Sequence, residues 1–222
     1  MTRISIALTS ILLLVTLTTF NPTLFKMGNN IFKIKYVEIE NINIINKKEL
    51  KKIINNELKN LSLFSINEKK MLSILKKYEI IKSIEIKKVF PNKIKIKLVE
   101  KEIIATLINK KKKFYLTLNG EKIIFFKNEK LDNLPKIFGA QKNFTQIYNI
   151  LKKLNFPINE IKSFYYFDIG RWDIVLKNSN IIKLPVKNFN ESLINYNELK
   201  NDQNFKKYKI FDYRIKDQLI LN

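Results

Sequence analysis

Apolar and polar positions change rhythm twice along this chain. From Ile4 to Phe20 the sequence ISIALTSILLLVTLTTF carries no charge, and Leu24 and Phe25 extend the apolar character. The run of about 22 residues, at about 1.5 Å each in a helix, matches the ~30 Å of bilayer hydrocarbon. Residues 4–25 are therefore expected to form a transmembrane anchor behind a short N-terminal segment, 1–3. A cleaved signal peptide is the competing reading, but Thr-Thr-Phe-Asn-Pro offers no small-x-small cleavage site. Pro22 and Gly28 break the helix, and Lys26 begins a basic remainder.

Strict alternation then takes over. Phe32–Glu40 (FKIKYVEIE) has the period of a half-buried strand. Asn46 is a good N-cap with Glu49 in the capping-box position, and Leu50, Ile53, Ile54, Leu58 and Leu61 follow at helical spacing. Ser65 with Glu68 is a second start signal, opening Asn67–Tyr78, where Met71, Leu72, Leu75 and Tyr78 share a face. Ile84 and Ile86 alternate with charge, Phe90-Pro91-Asn92-Lys93 makes a turn, and Ile94, Ile96 and Leu98 alternate again, as in a β-hairpin. The expected order over 32–102 is β-α-α-β-β.

From 103 to 222 the pattern is sheet-rich. Strands are expected near 103–108, 113–118, 121–126, 161–167, 171–177, 180–185 and 209–221, with helices at Phe144–Leu154 and Phe189–Asn204. A terminal strand Tyr213–Leu221 at a sheet edge would expose unpaired N–H and C=O groups to a partner strand. The fold class is thus α+β: an N-terminal transmembrane helix, a β-α-α-β-β domain, and a β domain carrying two helices.

Composition changes this picture in one respect. Lys and Arg number 42 against 20 Asp and Glu, a formal charge of +22. That would suit nucleic acid or an anionic surface. Yet the arginines are only Arg3, Arg171 and Arg214, and the lysines run through every element, as solvated faces do. A membrane-tethered nucleic-acid binder is kept as an alternative, and the favoured reading has no nucleic-acid partner. Local charge is also awkward for topology. Lys26, Lys33 and Lys35 follow the apolar run and only Arg3 precedes it, so the positive-inside rule alone would place the large region in the cytoplasm.

Enzymatic chemistry finds no template. With neither Cys nor His, thiol chemistry, structural zinc and the commonest general base are absent. Gly28, Gly120, Gly139 and Gly170 are isolated, so no phosphate-binding loop is encoded. Asp168 and Asp173 are read as turn residues, Trp172 as core, and Asp212 with Arg214 as an ordinary pair. The expectation is a non-enzyme with no catalytic residues, metal, cofactor or small-molecule substrate, acting through protein surfaces.

Several stretches carry a family resemblance. Val89-Phe90-Pro91-Asn92-Lys93-Ile94-Lys95-Ile96-Lys97-Leu98-Val99-Glu100 resembles the hairpin that ends POTRA domains in the bacterial division family FtsQ, called DivIB in some lineages. Ala105, Tyr115–Ile123, Leu134-Pro135-Lys136-Ile137-Phe138-Gly139, Arg171–Leu176 with Ile181–Leu184, and Phe211-Asp212-Tyr213-Arg214 are similar to further family stretches, in order. Ile103 stands where the family has Pro, and Thr117 where it has Asp. The resemblance implies a POTRA domain at 32–102 and an FtsQ-type β domain at 103–222. It implies a divisome scaffold linking early and late division proteins during septum formation, by binding the FtsB–FtsL coiled coil through the C-terminal strand region. It implies a single-pass type II protein of the inner membrane, periplasmic beyond the anchor and concentrated at the septum. The partner-binding residues expected are Tyr213, Arg214, Ile215, Asp217 and Leu219. Another POTRA-bearing envelope chaperone or secretion component is the alternative, although this chain has no room for the β-barrel such proteins precede.

Overall fold

Helix α1, Arg3–Thr18, is the first element of a computed structural model that describes residues 3–18, 31–110 and 112–222. Its 16 residues extend about 24 Å. Ile6, Leu8 and Ile11 to Val15 are all more than half exposed, an extended apolar surface. Among the described residues no helix is long and apolar enough to cross a membrane. Residues 19–25 of the expected anchor lie outside the described residues. The chain divides into two units, Met1–Glu100 and Lys101–Asn222.

In the first unit β1 (Tyr36–Glu40), α2 (Lys47–Leu58), α3 (Glu68–Ile74), β2 (Ile81–Val89) and β3 (Lys93–Glu100) follow the expected β-α-α-β-β order. The sheet order is β1-β3-β2, with β1 parallel and β2 antiparallel to β3. A parallel neighbour needs a crossover, and the two helices supply it. Ile94, Ile96 and Leu98 are fully buried with Leu50, Ile54, Leu58 and Met71. Asn46 caps α2 by accepting from the N–H groups of Lys48 and Glu49. The cap of α3 is Asn67, which accepts from Lys70 N, rather than Ser65. That helix stops at Ile74, so Tyr78 lies beyond it, and Leu72 is 41% exposed. Strand β1 starts at Tyr36 rather than Phe32. Lys33 instead bridges Ser62, and Ile34 N donates to Leu61 O, so the entering chain is held by the inter-helix segment before it joins the sheet.

A nine-stranded sheet forms the second unit, in the order β12-β11-β10-β9-β8-β7-β4-β5-β6. The strands are β4 (Ile103–Asn109), β5 (Lys112–Thr117), β6 (Lys122–Ile124), β7 (Lys136–Phe138), β8 (Ile161–Phe167), β9 (Arg171–Leu176), β10 (Ile181–Lys183), β11 (Ile210–Asp212) and β12 (Ile220–Leu221). Helix α4 (Phe144–Lys153) joins the parallel pair β7 and β8, and α5 (Phe189–Leu199) joins the parallel pair β10 and β11. Phe144, Ile147, Leu151, Leu193 and Tyr196 from the helices share one core with Phe164, Trp172, Ile174, Ile182 and Phe211 from the strands.

Four expectations are corrected here. Strand β7 lies in the family-like stretch Leu134–Gly139, where no strand was expected, and Gly139 just after it has φ +94°, with space for a Cβ closed by Tyr166 O at 2.7 Å. The strand expected over 121–126 spans only Lys122–Ile124. Helix α5 ends at Leu199 rather than Asn204, because Asp202 accepts from Asn204 N and starts a separate 3₁₀ turn. The strand expected over 209–221 is two strands joined by a reversal, described below.

Candidate functional site

The carboxyl-terminal edge is built by one carboxylate. Asp212 ends β11 by accepting from Arg214 N at 3.1 Å, an Asx turn that diverts the backbone from the sheet. Asp217 adopts φ +59°, in the left-handed region, and completes the reversal. Ile220 and Leu221 then return antiparallel to β11, with Phe211 opposite Leu221 and Asp212 opposite Ile220. The edge is therefore the two-residue β12 and not a strand spanning Tyr213–Leu221.

Its open hydrogen-bonding capacity follows from register. Asn222 N donates to Ile210 O at 3.1 Å and Ile210 N donates to Asn222 O at 2.8 Å, making that pair the hydrogen-bonded type. The neighbouring pair, Phe211 and Leu221, is of the other type, so the N–H and C=O of Leu221 point away from β11 to the open edge. Leu221 packs its side chain toward the core, while Ile220 on the opposite face is 41% exposed.

A row of charge supports this edge from behind. Register places Asp173, Lys183 and Asp212 side by side on β9, β10 and β11. Asp212 receives a forked contact from Arg214, with Nε donating to Oδ1 at 2.8 Å and Nη2 to Oδ2 at 2.6 Å. Lys183 Nζ stands 3.9 Å from the same carboxylate, and Arg171 Nε is 3.2 Å from Asp173 Oδ1. The hydrogen bond from Arg214 holds the Asp212 carboxyl below the usual range, against the effect of its burial. Burial pushes Asp173 up, against the pull of Arg171 and Lys183. Asp173 is a buried strand residue and not the turn residue expected, because its partners Arg171 and Lys183 let a strand position carry the charge.

Of the five residues expected to bind a partner, Tyr213 is buried, its hydroxyl donating to Asn195 Oδ1 at 2.9 Å and its N–H to Lys183 O at 2.9 Å. Leu219 packs partly against the core. Arg214, Ile215 and Asp217 lie exposed in the reversal rather than in a strand, with Ile215 half exposed. The structure thus brings the five into one hairpin, and divides them into two inward anchors and three exposed positions. Ile220 and Leu221, which form the edge itself, lay within the expected strand Tyr213–Leu221 but not among the five residues expected to bind. The signal for them was the apolar pair Leu219-Ile220 resuming after the polar Arg-Ile-Lys-Asp-Gln reversal.

Comparison with known proteins agrees with this architecture. The family model "POTRA domain, FtsQ-type" matches residues 32–101, and "Cell division protein FtsQ/DivIB, C-terminal" matches residues 105–214. The cell division protein FtsQ of Rickettsia bellii (strain RML369-C) is 32% identical over 193 residues, 84% of this chain and 71% of that one. The protein of the same name from Rickettsia conorii (strain ATCC VR-613 / Malish 7) is 28% identical over 207 residues, 90% of this chain and 75% of that one. The extracytoplasmic domain of the division protein DivIB from Geobacillus stearothermophilus gives a weaker likeness. It is 13% identical, covers 47% of this chain and 99% of that one, and its TM-score of 0.30 is too low to bear on the fold.

Proposed function

Because this chain belongs to the FtsQ/DivIB family of cell division proteins, we propose that it is a membrane-anchored, non-catalytic scaffold of the division machinery that docks the FtsB–FtsL coiled coil on its β12 edge. In this reading residues 4–25 are the anchor, the chain beyond it is periplasmic, and the protein gathers at the septum. The anchor is supported by the uncharged run Ile4–Phe20 and by the exposed apolar surface of α1.

The observation that carries the docking reading is the outward N–H and C=O of Leu221 beside exposed Ile220. A partner segment in β conformation would extend the nine-stranded sheet there, taking main-chain hydrogen bonds for affinity and side-chain contacts for specificity. The row Asp173–Lys183–Asp212 fixes β11, and so the edge, in place. Arg214 and Ile215 in the adjoining reversal offer a cation and an apolar side chain to the same partner.

The test is a fluorescent fusion at the amino terminus, followed through constriction, combined with co-purification of FtsB–FtsL. A midcell band that arrives with division, and loss of the partners from an Ile220→Asp variant that remains folded, is the expected result. Uniform membrane fluorescence from a functional fusion overturns the septal reading. Undiminished co-purification by Ile220→Asp overturns the edge.

A further inference from the structure

The end of the first unit at which the chain enters carries an aromatic cluster that the core does not use. Phe32 stacks edge-on against Phe64 at 5.1 Å and against Phe90 at 5.9 Å, and Phe64 and Phe90 are 5.7 Å apart. These rings come from three separate places: the entry segment, the 3₁₀ turn between α2 and α3, and the β2–β3 turn. Phe64 is 63% exposed and Phe90 55%, so each leaves half or more of its surface to the surroundings. Ile31 and Tyr36 are also exposed at this end, and Tyr36 N donates to Asn92 O in the β2–β3 turn.

The charges on the segments that carry the rings have one sign. The three segments 31–36, 62–66 and 87–93 contain Lys33, Lys35, Lys87, Lys88 and Lys93 and no Asp or Glu. The nearest carboxylate along β1, Glu38, is engaged by Lys93 at 2.6 Å and Lys95 at 3.3 Å. Exposed aromatic rings on segments that carry lysines and no carboxylate suit the boundary between acyl chains and anionic headgroups, where rings insert and lysines meet phosphate.

We infer that this aromatic end of the first unit, Phe32, Phe64 and Phe90, rests in the anionic membrane–water interface and fixes the unit's tilt on the bilayer. The inference rests on residues 4–25 being the anchor. Given that anchor, chain length requires proximity: Phe25 and Ile31 are six residues apart, which at about 3.5 Å each permits no more than about 20 Å. A protein partner would need neither the lysines of these segments nor a position so near the anchor along the chain.

The chain has no cysteine, so single spin labels can be placed in the full-length protein without background. Three labelled variants, Leu12→Cys in α1, Ser65→Cys beside Phe64 and Asn178→Cys in the β9–β10 turn, are reconstituted in phosphatidylethanolamine–phosphatidylglycerol vesicles. Collision with oxygen, which partitions into lipid, is compared with collision with a water-soluble nickel chelate. The expected result is a deep Leu12 label and a Ser65 label whose oxygen-to-nickel ratio is several-fold above the Asn178 label. Phe64→Ser with Phe90→Ser should return the Ser65 label to the Asn178 value. A deep Leu12 label with a Ser65 label as wet as Asn178 overturns the inference and leaves the anchor standing. A Ser65 ratio that stays high without the two rings also overturns it. A Leu12 label in water removes the anchor reading and the inference together.

Discussion

Two carboxylates show how single residues set the backbone in this protein. The Glu100 carboxylate accepts from the N–H groups of Asn43, Ile44 and Ile45 at 3.0 to 3.1 Å, gathering the β1–α2 loop against the end of β3. Charge-assisted bonds of this kind are worth about 1.5–3 kcal/mol each, but partial exposure reduces that. Glu100→Ala is expected to destabilise the first unit by about 2 kcal/mol in urea unfolding, with Glu100→Gln losing less. Asp212 makes a pH prediction. Its folded pKa is depressed by the Arg214 hydrogen bond, so the stability it contributes is present above the unfolded value of about 3.9 and disappears as pH falls through the folded one. Asp212→Asn should destabilise the second unit by about 1 kcal/mol at pH 7 and flatten its loss of stability below about pH 4, as read by thermal unfolding across pH.

At the scale of elements, parallel neighbours dictate where the helices go. β7 with β8 and β10 with β11 run parallel, and each pair is joined through a helix that buries its stripe on the same sheet face. The edge strand is short because Asp212 and Asp217 consume the residues before it in a reversal. Short edges resist unwanted pairing, which confines the proposed docking to the outward groups of Leu221. Proline at this position removes an N–H that points outward and breaks no bond to β11. Leu221→Pro is therefore expected to lower the melting temperature by a few degrees, through lost packing, while abolishing FtsB–FtsL co-purification. A Leu221→Ala variant, which keeps the N–H, should retain the partners.

For the whole molecule, the balance of +22 and the direction of insertion pull against each other. The lysines after the apolar run favour a cytoplasmic location, and the proposed topology puts the chain on the opposite side. The proposed topology predicts that protease added to intact spheroplasts digests the region 31–222, whereas the same protein is protected in intact cells. Protection in spheroplasts, with digestion only after lysis, would reverse the orientation. It would also return the nucleic-acid alternative, whose mark is binding that weakens steeply with salt.

Much of the fold is legible in local pattern. Alternation and helical spacing marked the first unit because one face of each element is buried and the other solvated, so Ile94, Ile96 and Leu98 betray both strand and register. Asn46 announced α2 because capping is a local bond between neighbours in sequence. Gly139 was legible as part of a family stretch, although its cause, contact with Tyr166 of another strand, was not. What needed tertiary structure were the features made by partners distant along the chain. The short strand β7 exists because β4 and β8 flank it, and three residues carry too little pattern to announce it. Asp173 is tolerated in a buried strand because Lys183 faces it from β10 and Arg171, two residues earlier on its own strand, pairs with it. The sheet edge moved from a long strand to Ile220 and Leu221 because alternation cannot distinguish a strand that continues from one that turns back on itself. That choice was made by the Asp212 carboxylate and the left-handed backbone of Asp217.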